Sequence, residues 1–207
     1  MTERVLGTIL AGGQARRMGG GDKGRLDLGG GQSLIAEVIR RLTPQCGAVV
    51  LNANGDPGRF ADLGLPVVAD SIAGHPGPLA GVLAGMDHAA AAGFSHVLTA
   101  AADTPFVPHD LGARLAASAK GKPIALCATR EDGRLIRQPT FGLWPVALRD
   151  DLRAALQDGV SKVVIWADRH GYALAEFSTA PHDPFFNVNT PADLELARRI
   201  WQGMTAG

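Results

Sequence analysis

The chain has 207 residues, of which 46% are hydrophobic and 19% are charged, proportions typical of a globular protein with a sizeable core. Twenty basic and twenty acidic side chains give a formal net charge of zero, which argues against general attraction to nucleic acid or to an anionic membrane. No apolar run approaches the roughly 20 residues that span a bilayer, so we expect a single cytoplasmic domain over residues 1–207 with neither membrane nor nucleic-acid partners.

Short apolar runs alternate with helical patterns along the chain. The predicted strands are Arg4–Leu10, Ala48–Asn52, Leu65–Ala69, His96–Ala100, Ile124–Ala128, Thr140–Trp144 and Tyr172–Phe177. The predicted helices are Leu34–Leu42 behind the capping residue Ser33, Pro78–Ala92, Pro108–Ala119, Pro145–Gln157 and Pro191–Trp201. The segments Ser161–Ala167 and Ala128–Gln138 receive no assignment. This alternation predicts an α/β fold with a mostly parallel sheet and helices on both faces.

A glycine-rich loop follows the first predicted strand. It reads LAGGQARRMGGGDKG from Leu10 to Gly24 and carries three cations, Arg16, Arg17 and Lys23. Backbone N–H groups of glycine can approach phosphate oxygens closely because no side chain intervenes, and the cations add favourable charge. Such a loop alone is more often a flexible turn, so its interpretation depends on the residues that lie beside it.

Polar side chains follow the next three predicted strands. Asn52 and Asn54 follow the second strand, Asp70 the third and Asp103 the fourth. Ligands of a parallel sheet bind beyond the carboxyl ends of its strands, so we expect these side chains to face the glycine loop. A carboxylate beside a polyphosphate requires a divalent cation between them, so Asp103 implies Mg²⁺, and amides with carboxylates can bind a purine edge. Each residue could instead cap a helix or hold a turn, but their joint placement favours a site.

Other nucleotide, hydrolase and metal motifs are absent from the sequence or misplaced. Pro123 after Gly121-Lys122 excludes a Walker loop. A Gly-x-Gly-x-x-Gly match that begins at Gly19 starts about nine residues after the strand ends, too late for a dinucleotide-binding turn. No histidine pair has ligand spacing and no serine lies in Gly-x-Ser-x-Gly. The two cysteines are read as buried thiols.

The glycine loop resembles a known signature. The stretches Leu10-Ala-Gly-Gly13, Arg17-Met-Gly19 and Asp22-Lys-Gly24 resemble the loop of nucleotidyltransferases with the sugar-nucleotide transferase fold, and more narrowly that of the molybdenum cofactor guanylyltransferases, the MobA family. Further segments agree in the family's order, namely Asn52-Ala-Asn54, Pro76–Gly81, Ala102–Pro105 and Asn187–Pro191. The resemblance implies a three-layer α/β/α, Rossmann-like fold of the nucleotide-diphospho-sugar transferase type.

The resemblance also implies roles for individual residues. The backbone contacts to the nucleotide are implied for Leu10, Ala11, Gly12 and Gly13. Lys23 would bind the phosphates, Asn52 and Asp70 would lie in the GTP pocket, and Asp103 would bind both GTP and Mg²⁺. Arg17 joins Lys23 and Asp103 as a candidate catalytic residue on charge grounds. Asn187 and Asn189 are candidates for the pterin side, in the C-terminal half, although an Asn pair stabilising the loop before Pro191 is an equal alternative.

The implied reaction is transfer of GMP from GTP to the terminal phosphate of molybdenum-molybdopterin, with release of pyrophosphate. The implied partners are GTP, molybdenum-molybdopterin and proteins that deliver or accept the cofactor. A cytidylyltransferase on the same cofactor and a sugar-1-phosphate nucleotidyltransferase remain as alternatives with the same chemistry. An NAD-dependent oxidoreductase and a non-catalytic nucleotide sensor are the alternatives from other classes.

Overall fold

The chain folds into alternating strands and helices, and the computed structural model describes residues 4–12, 22–74 and 77–205. The strands are β1 (Val5–Leu10), β2 (Asp27–Gly29), β3 (Gln32–Ser33), β4 (Ala48–Asn52), β5 (Val67–Val68), β6 (His96–Ala101), β7 (Ile124–Glu131), β8 (Arg134–Pro145) and β9 (Tyr172–Phe177). The α-helices are α1 (Leu34–Leu42), α2 (Pro78–Ala91), α3 (Leu111–Ala119), α4 (Arg149–Gln157), α5 (Val163–His170) and α6 (Pro191–Thr205). Short 3₁₀ helices cover Lys23–Arg25, Thr43–Gln45, Pro57–Leu63 and Val146–Leu148.

One mixed sheet forms the centre of the described chain. Its strand order is β5-β4-β1-β6-β8-β7-β9. The neighbours β5, β4, β1 and β6 run parallel, as do β7 and β9, whereas β8 is antiparallel to both β6 and β7. Strands β2 and β3 form a separate two-stranded hairpin. The predicted mostly parallel sheet is confirmed, and β8 is the strand that departs from it.

A tight hairpin explains the orientation of β8. Glu131 pairs with Arg134, and the two residues between them, Asp132 and Gly133, have φ of 47° and 77°. Positive φ at both central residues is the geometry of a two-residue hairpin turn, and Asp-Gly is among the sequences that adopt it most readily. This hairpin occupies much of the segment Ala128–Gln138 that the sequence pattern leaves unassigned.

Apolar side chains pack on both faces of the sheet, because successive residues of a strand point to opposite sides. On one face, strand residues such as Ile9 pack against α1 and α3. On the other face, strand residues such as Leu6 pack against α2, α4 and α5. A third, smaller cluster joins Leu28 of the β2–β3 hairpin to α1 and α6. The helices therefore form two outer layers around the sheet, as predicted.

Some element boundaries differ from the predicted ones. The third predicted strand shortens to Val67–Val68, because it is an edge strand paired only with β4. The predicted helix Pro108–Ala119 begins at Leu111, and the unassigned apolar segment after Ser161 becomes α5. Over the three described ranges, none of the helices is both long and apolar enough to cross a membrane.

Candidate active site

The carboxyl ends of four parallel strands meet at one edge of the sheet and define the candidate site. Leu10 at the end of β1 lies level with Asn52 of β4 and Ala101 of β6, and Asn52 lies level with Val68 of β5. The chain remains hydrogen-bonded one residue beyond the strands, since Ala11 N donates to Asn52 O at 2.9 Å. The loops that carry the predicted site residues therefore start from a rigid base.

A pocket of about 390 Å³ opens at this edge. Its walls include predicted nucleotide-binding residues from three different strand ends, namely Leu10, Gly12, Asn52 and Asp70. Asn54, which the sequence analysis expects beside Asn52, also lines the pocket, as do Gly77, Pro78 and Thr140, to which the sequence analysis assigns no individual role. The quoted motif Asn52-Ala-Asn54 contains the signal for Asn54, whereas Thr140 reaches the pocket only because of the course of β8.

Hydrogen bonds fix the polar end of this pocket. Asn52 Nδ2 donates to Asp70 Oδ1 at 2.9 Å and to Val68 O at 3.2 Å. Asn54 Nδ2 donates to Asp70 Oδ2 at 2.7 Å, and Asp70 N donates back to Asn54 Oδ1 at 2.9 Å. Each carboxylate oxygen of Asp70 thus accepts one bond and has remaining acceptor capacity. The Asp70 carboxylate is held by two amides in a fixed orientation.

Close packing of α2 supports the orientation of Asn52. A Cβ atom at Gly81 would collide with Asn52 Oδ1 and would lie 2.6 Å from Leu10 Cδ2. Real Cβ atoms do not approach other atoms so closely, so α2 can lie against the strand ends only because residue 81 is glycine. Gly81, which belongs to a motif that carries part of the family resemblance, thereby contributes to the shape of the pocket.

A second group of residues surrounds Lys23, and Leu10 belongs to this group as well as to the pocket. Lys23 Nζ donates to Asp103 Oδ2 at 3.0 Å and also to Asn189 Oδ1. The side chains of Lys23 and Asp103 are only 15% and 14% exposed. They line a small crevice of about 20 Å³ together with Leu10 and Ala11. A partly buried cation and carboxylate therefore lie next to the larger pocket.

Asp70 and Asp103 do not serve as helix caps. Helix α2 begins after Gly77 and α3 after Asp110, so neither carboxylate precedes a helix directly. The alternative that the two residues are ordinary caps is therefore wrong. Their side chains instead face the pocket and Lys23, respectively.

Asn189 holds the turn before α6, as the loop-stabilising alternative expects, and it also contacts Lys23. Its side chain contacts Lys23, while its backbone N–H donates to Asp193 Oδ2 at 2.9 Å in the turn that starts α6. Thr190 N donates to the same oxygen at 2.8 Å. These hydrogen bonds lower the pKa of Asp193, although burial opposes the shift. Asn187 contributes a carbonyl oxygen, which accepts from Asn189 Nδ2 at 3.5 Å.

The predicted residues Gly13, Arg16 and Arg17 lie outside the described residues. The remaining candidates, Leu10, Ala11, Gly12, Lys23, Asn52, Asp70, Asp103, Asn187 and Asn189, lie in the described ranges. All of these except Asn187 and Asn189 line the pocket or the crevice. The side chain of Asn189 contacts Lys23.

The donor set at Asp103 fits a magnesium ion that is shared with a substrate. Among the residues described, no three His, Cys, Asp or Glu side chains come together as a metal cluster. Mg²⁺ does not need such a cluster, since it commonly keeps several waters and binds one or two carboxylates plus substrate phosphates. Asp103 supplies one carboxylate at the crevice, and a nucleotide would supply the phosphates.

Comparisons with known proteins identify the family. Residues 7–171 match the MobA-like NTP transferase domain. A protein of Mesorhizobium japonicum named molybdenum cofactor guanylyltransferase is 47% identical over 211 residues, which cover 100% of both chains. A protein of the same name from Bradyrhizobium sp. is 48% identical and covers 96% of this chain and 94% of its own. The chain belongs to the MobA-like NTP transferase family.

Solved structures agree with this assignment at the level of the fold. Molybdopterin-guanine dinucleotide biosynthesis protein A from Archaeoglobus fulgidus superposes with a TM-score of 0.71 at 24% identity, over 96% of this chain and 100% of that one. A nucleotidyl transferase from Methanothermobacter gives 0.72 at 20% identity, over 97% and 99%. The predicted three-layer, Rossmann-like fold of the nucleotide-diphospho-sugar transferase type is confirmed. The MobA-like domain match includes Lys23, Asp70 and Asp103 but ends before Asn189.

Proposed function

We propose that this protein transfers GMP from GTP to the terminal phosphate of molybdenum-molybdopterin and releases pyrophosphate. Relatives named molybdenum cofactor guanylyltransferase are 47% to 50% identical to it over nearly the whole chain. The observation that carries the proposal is the position of Leu10 between two different environments, a pocket that ends in Asp70 and a crevice that holds Lys23 and Asp103. A nucleotide has the same two parts, a base and a polyphosphate.

Asp70 supports guanine as the base. A carboxylate only accepts hydrogen bonds, and guanine presents two neighbouring N–H groups on its pairing edge, whereas cytosine presents a single amino group there. The two oxygens of Asp70 are oriented by Asn52 and Asn54 and retain acceptor capacity. A base with two adjacent donors uses both oxygens, so guanine gains more at this position than cytosine.

The reaction requires two anions to approach each other. An oxygen of the acceptor phosphate attacks the α-phosphorus of GTP, a new P–O bond forms, and the bond to the β-phosphate breaks as pyrophosphate leaves. The nucleophile is already an anion, so no general base is required. The ammonium group of Lys23 supplies positive charge at the phosphate end, and positioned cations account for much of the catalysis of phosphoryl transfer. Mg²⁺ bound by Asp103 would neutralise further charge on the phosphates.

The acceptor side of the proposal involves the C-terminal half of the chain. Asn189 from the turn before α6 contacts Lys23, so an acceptor bound near this turn would lie next to the phosphate end. We propose Asn187 and Asn189 as residues of this side, within a single domain of residues 1–207. A chemically labile pterin favours direct transfer from a delivering protein and to an accepting protein, and we place these steps in the cytoplasm.

Thermal stability in the presence of nucleotides tests the proposal. GTP with Mg²⁺ should raise the melting temperature, since a ligand at 100 times its Kd stabilises a protein by about 2.7 kcal/mol. CTP, ATP and NADH serve as comparisons, each with and without Mg²⁺. A shift with CTP alone would make the protein a cytidylyltransferase, and a shift with NADH alone would make it a dinucleotide-binding protein.

Variants of two carboxylates test the magnesium assignment in the same assay. Asp103→Asn should raise the Mg²⁺ concentration needed for the half-maximal GTP effect, because the metal loses its protein carboxylate. Asp168→Asn, which changes an exposed residue of α5, is the matched control and should leave that concentration unchanged. An unchanged metal titration in Asp103→Asn would contradict the assignment.

A further inference from the structure

The guanidinium group of Arg59 connects two loops at the edge of the candidate site. Arg59 Nη1 donates to Asp22 Oδ1 at 2.7 Å, and Nη2 donates to the carbonyl oxygen of Asn54, also at 2.7 Å. Its Nε donates to the carbonyl oxygen of Asp56 at 3.1 Å. One side chain therefore holds the end of the glycine loop and the loop after β4 together.

Each of these two partners is next to a proposed nucleotide-binding residue. Asp22 directly precedes Lys23, which contacts Asp103. Asn54 exchanges two hydrogen bonds with Asp70, at 2.7 and 2.9 Å. Arg59 thus contacts Asp22 at the phosphate end of the proposed GTP site and Asn54 at the base end.

The local fold restrains the guanidinium plane. Arg59 lies in the 3₁₀ helix Pro57–Leu63, and its guanidinium carbon is 4.9 Å from the ring centroid of buried Phe60. The guanidinium of Arg25 lies 5.3 Å from the same ring centroid and forms an ion pair with Asp62. A guanidinium group is planar, so it can stack on an aromatic ring and at the same time donate several hydrogen bonds in a fixed fork. Stacking on Phe60 therefore restricts the directions in which Arg59 can donate.

The ion pair also removes a charge that opposes nucleotide binding. The Asp22 side chain is only 16% exposed and lies one residue from Lys23. An unpaired carboxylate at this place would repel a triphosphate and would compete with it for the ammonium group of Lys23. Arg59 neutralises that carboxylate directly.

We propose that Arg59 is a positioning residue of the GTP site, which neutralises Asp22 and holds Asn54 so that Lys23 and Asp70 keep a fixed separation. This inference rests on the proposed function. Arg59 does not touch the nucleotide in this proposal and acts through the residues that do.

A set of variants separates the charge of Arg59 from its hydrogen-bonding fork. Arg59→Gln removes the charge, whereas Arg59→Lys keeps the charge for Asp22 but cannot also bridge to the Asn54 carbonyl. The double variant Asp22→Asn with Arg59→Gln removes both charges of the pair. Arg149→Gln is the matched control, since Arg149 is a similarly exposed arginine that pairs with Asp150 and Asp87 and bonds neither Asp22 nor the Asn54 carbonyl.

Calorimetric titration with GTP and Mg²⁺ gives the first result. Arg59→Gln should raise the Kd about tenfold to hundredfold, the range expected when hydrogen bonds to a charged group are lost. Arg59→Lys should give an intermediate Kd. The double variant should bind GTP more tightly than Arg59→Gln alone, because the repelling carboxylate is gone.

Amide hydrogen exchange gives a second result that does not depend on GTP. The Asp70 N–H donates to Asn54 Oδ1, so it should exchange faster when Asn54 is no longer held. Arg59→Gln should accelerate the exchange of this amide, and Arg149→Gln should not.

The two measurements distinguish failure of the proposed function from failure of the inference about Arg59. If the wild-type protein has no affinity for GTP, the proposed function is wrong, and the exchange rate of the Asp70 amide still decides whether Arg59 holds the base end. If Arg149→Gln raises the Kd and the exchange rate as much as Arg59→Gln, the effect is not specific to the contacts of Arg59 and the inference is overturned. Wild-type affinity and exchange in Arg59→Gln would overturn it as well.

Discussion

Lys23 carries a positive charge at the crevice that we propose as the phosphate site, and its surroundings keep it in place. Its ammonium group bonds to Asp103 and Asn189, and little of its side chain is exposed. These contacts hold a long, flexible side chain in one region before any substrate arrives. Such preorganisation reduces the reorganisation that a cation must undergo when charge develops on a leaving group.

Lys23→Ala should therefore lower turnover by roughly 10²–10³, the usual loss for one preorganised partner of a developing charge. The measurement is pyrophosphate release at saturating GTP and acceptor. Lys122→Ala is the control, because Lys122 precedes β7, which runs parallel to β6, and so lies at the opposite edge of the sheet. Wild-type turnover in Lys23→Ala would remove this residue from the mechanism.

At the scale of single elements, local sequence signals explain α1 and the β7–β8 hairpin. Ser33 precedes α1 and its Oγ accepts from Ala36 N at 3.2 Å, as a predicted helix cap should. Asp132-Gly133 supplies the hairpin turn, so the sequence contained a signal for β8 that the strand pattern alone did not use. Both features depend only on neighbouring residues.

The irregular part of β8 could not be predicted in this way. Leu126 pairs with Gly142, but the next residue of β7, Cys127, pairs with Gln138. The three residues from 139 to 141 therefore bulge out of the ladder. Thr140 reaches the pocket and Phe141 packs against Phe185 as a result. A bulge of this kind is set by packing against distant elements, which local sequence does not record.

A buried ion pair stabilises α1. Glu37 is 2% exposed and accepts hydrogen bonds from Arg40 and from Arg41, which is itself 5% exposed. Burial alone would raise the pKa of Glu37, but the hydrogen bonds from the two arginines hold this pKa below its ordinary value. Arg41 also donates to Val107 O at 3.3 Å and so connects α1 to the loop after β6.

Glu37→Gln should destabilise the protein by about 3–5 kcal/mol at neutral pH, because it leaves the buried guanidinium of Arg41 without a counter-charge. The pKa of Glu37 is lower in the folded than in the unfolded state, so the unfolded state binds more protons in acid. The contribution of Glu37 is thus complete above its unfolded pKa of about 4.3 and is lost as the pH falls through the folded pKa. Urea unfolding at several pH values should show the difference between wild type and variant shrinking in acid.

Arg40→Gln provides the control for this ion pair. Arg40 bonds to the same carboxylate but is 56% exposed, and exposed ion pairs contribute about 0–1 kcal/mol. The control should therefore lose much less stability than Glu37→Gln. Equal losses in the two variants would mean that burial of the Glu37–Arg41 pair does not determine its contribution.

At the scale of the whole molecule, the alternation of strands and helices was enough to predict the layers and to bring the candidate site residues to one edge of the sheet. The contacts within the site were less predictable. Asn189 and Lys23 are 166 residues apart in the chain, and Arg59 and Asp22 are 37 apart. A single sequence contains no signal for such pairs, because they form only when separate loops pack at the same edge. The sequence could therefore indicate a candidate site but not the contacts between distant residues around it.

The arrangement of the strands supports one cooperative unit. Strand β8 from the second half of the chain inserts between β6 and β7. The apolar cluster on the α2 side combines Leu6 and Val50 with Trp144 and Trp166. Trp201 of α6 packs in the smaller cluster with the β2–β3 hairpin. The three tryptophans thus report on two different regions.

We predict that these regions unfold together, as one domain over residues 1–207. For each protein, tryptophan fluorescence and circular dichroism should give the same urea midpoint, because coincident probes indicate a two-state transition. This holds for the wild type and for Trp201→Phe, each compared with its own circular dichroism. Trp144→Phe with Trp166→Phe leaves Trp201 as the single reporter of α6. If this reporter changes at a lower urea concentration than the circular dichroism of the same variant, α6 and the β2–β3 hairpin form a separate, less stable unit. The turn that carries Asn189 would then open independently of the sheet edge that carries Asp103, and the contact with Lys23 would be lost before the candidate pocket unfolds.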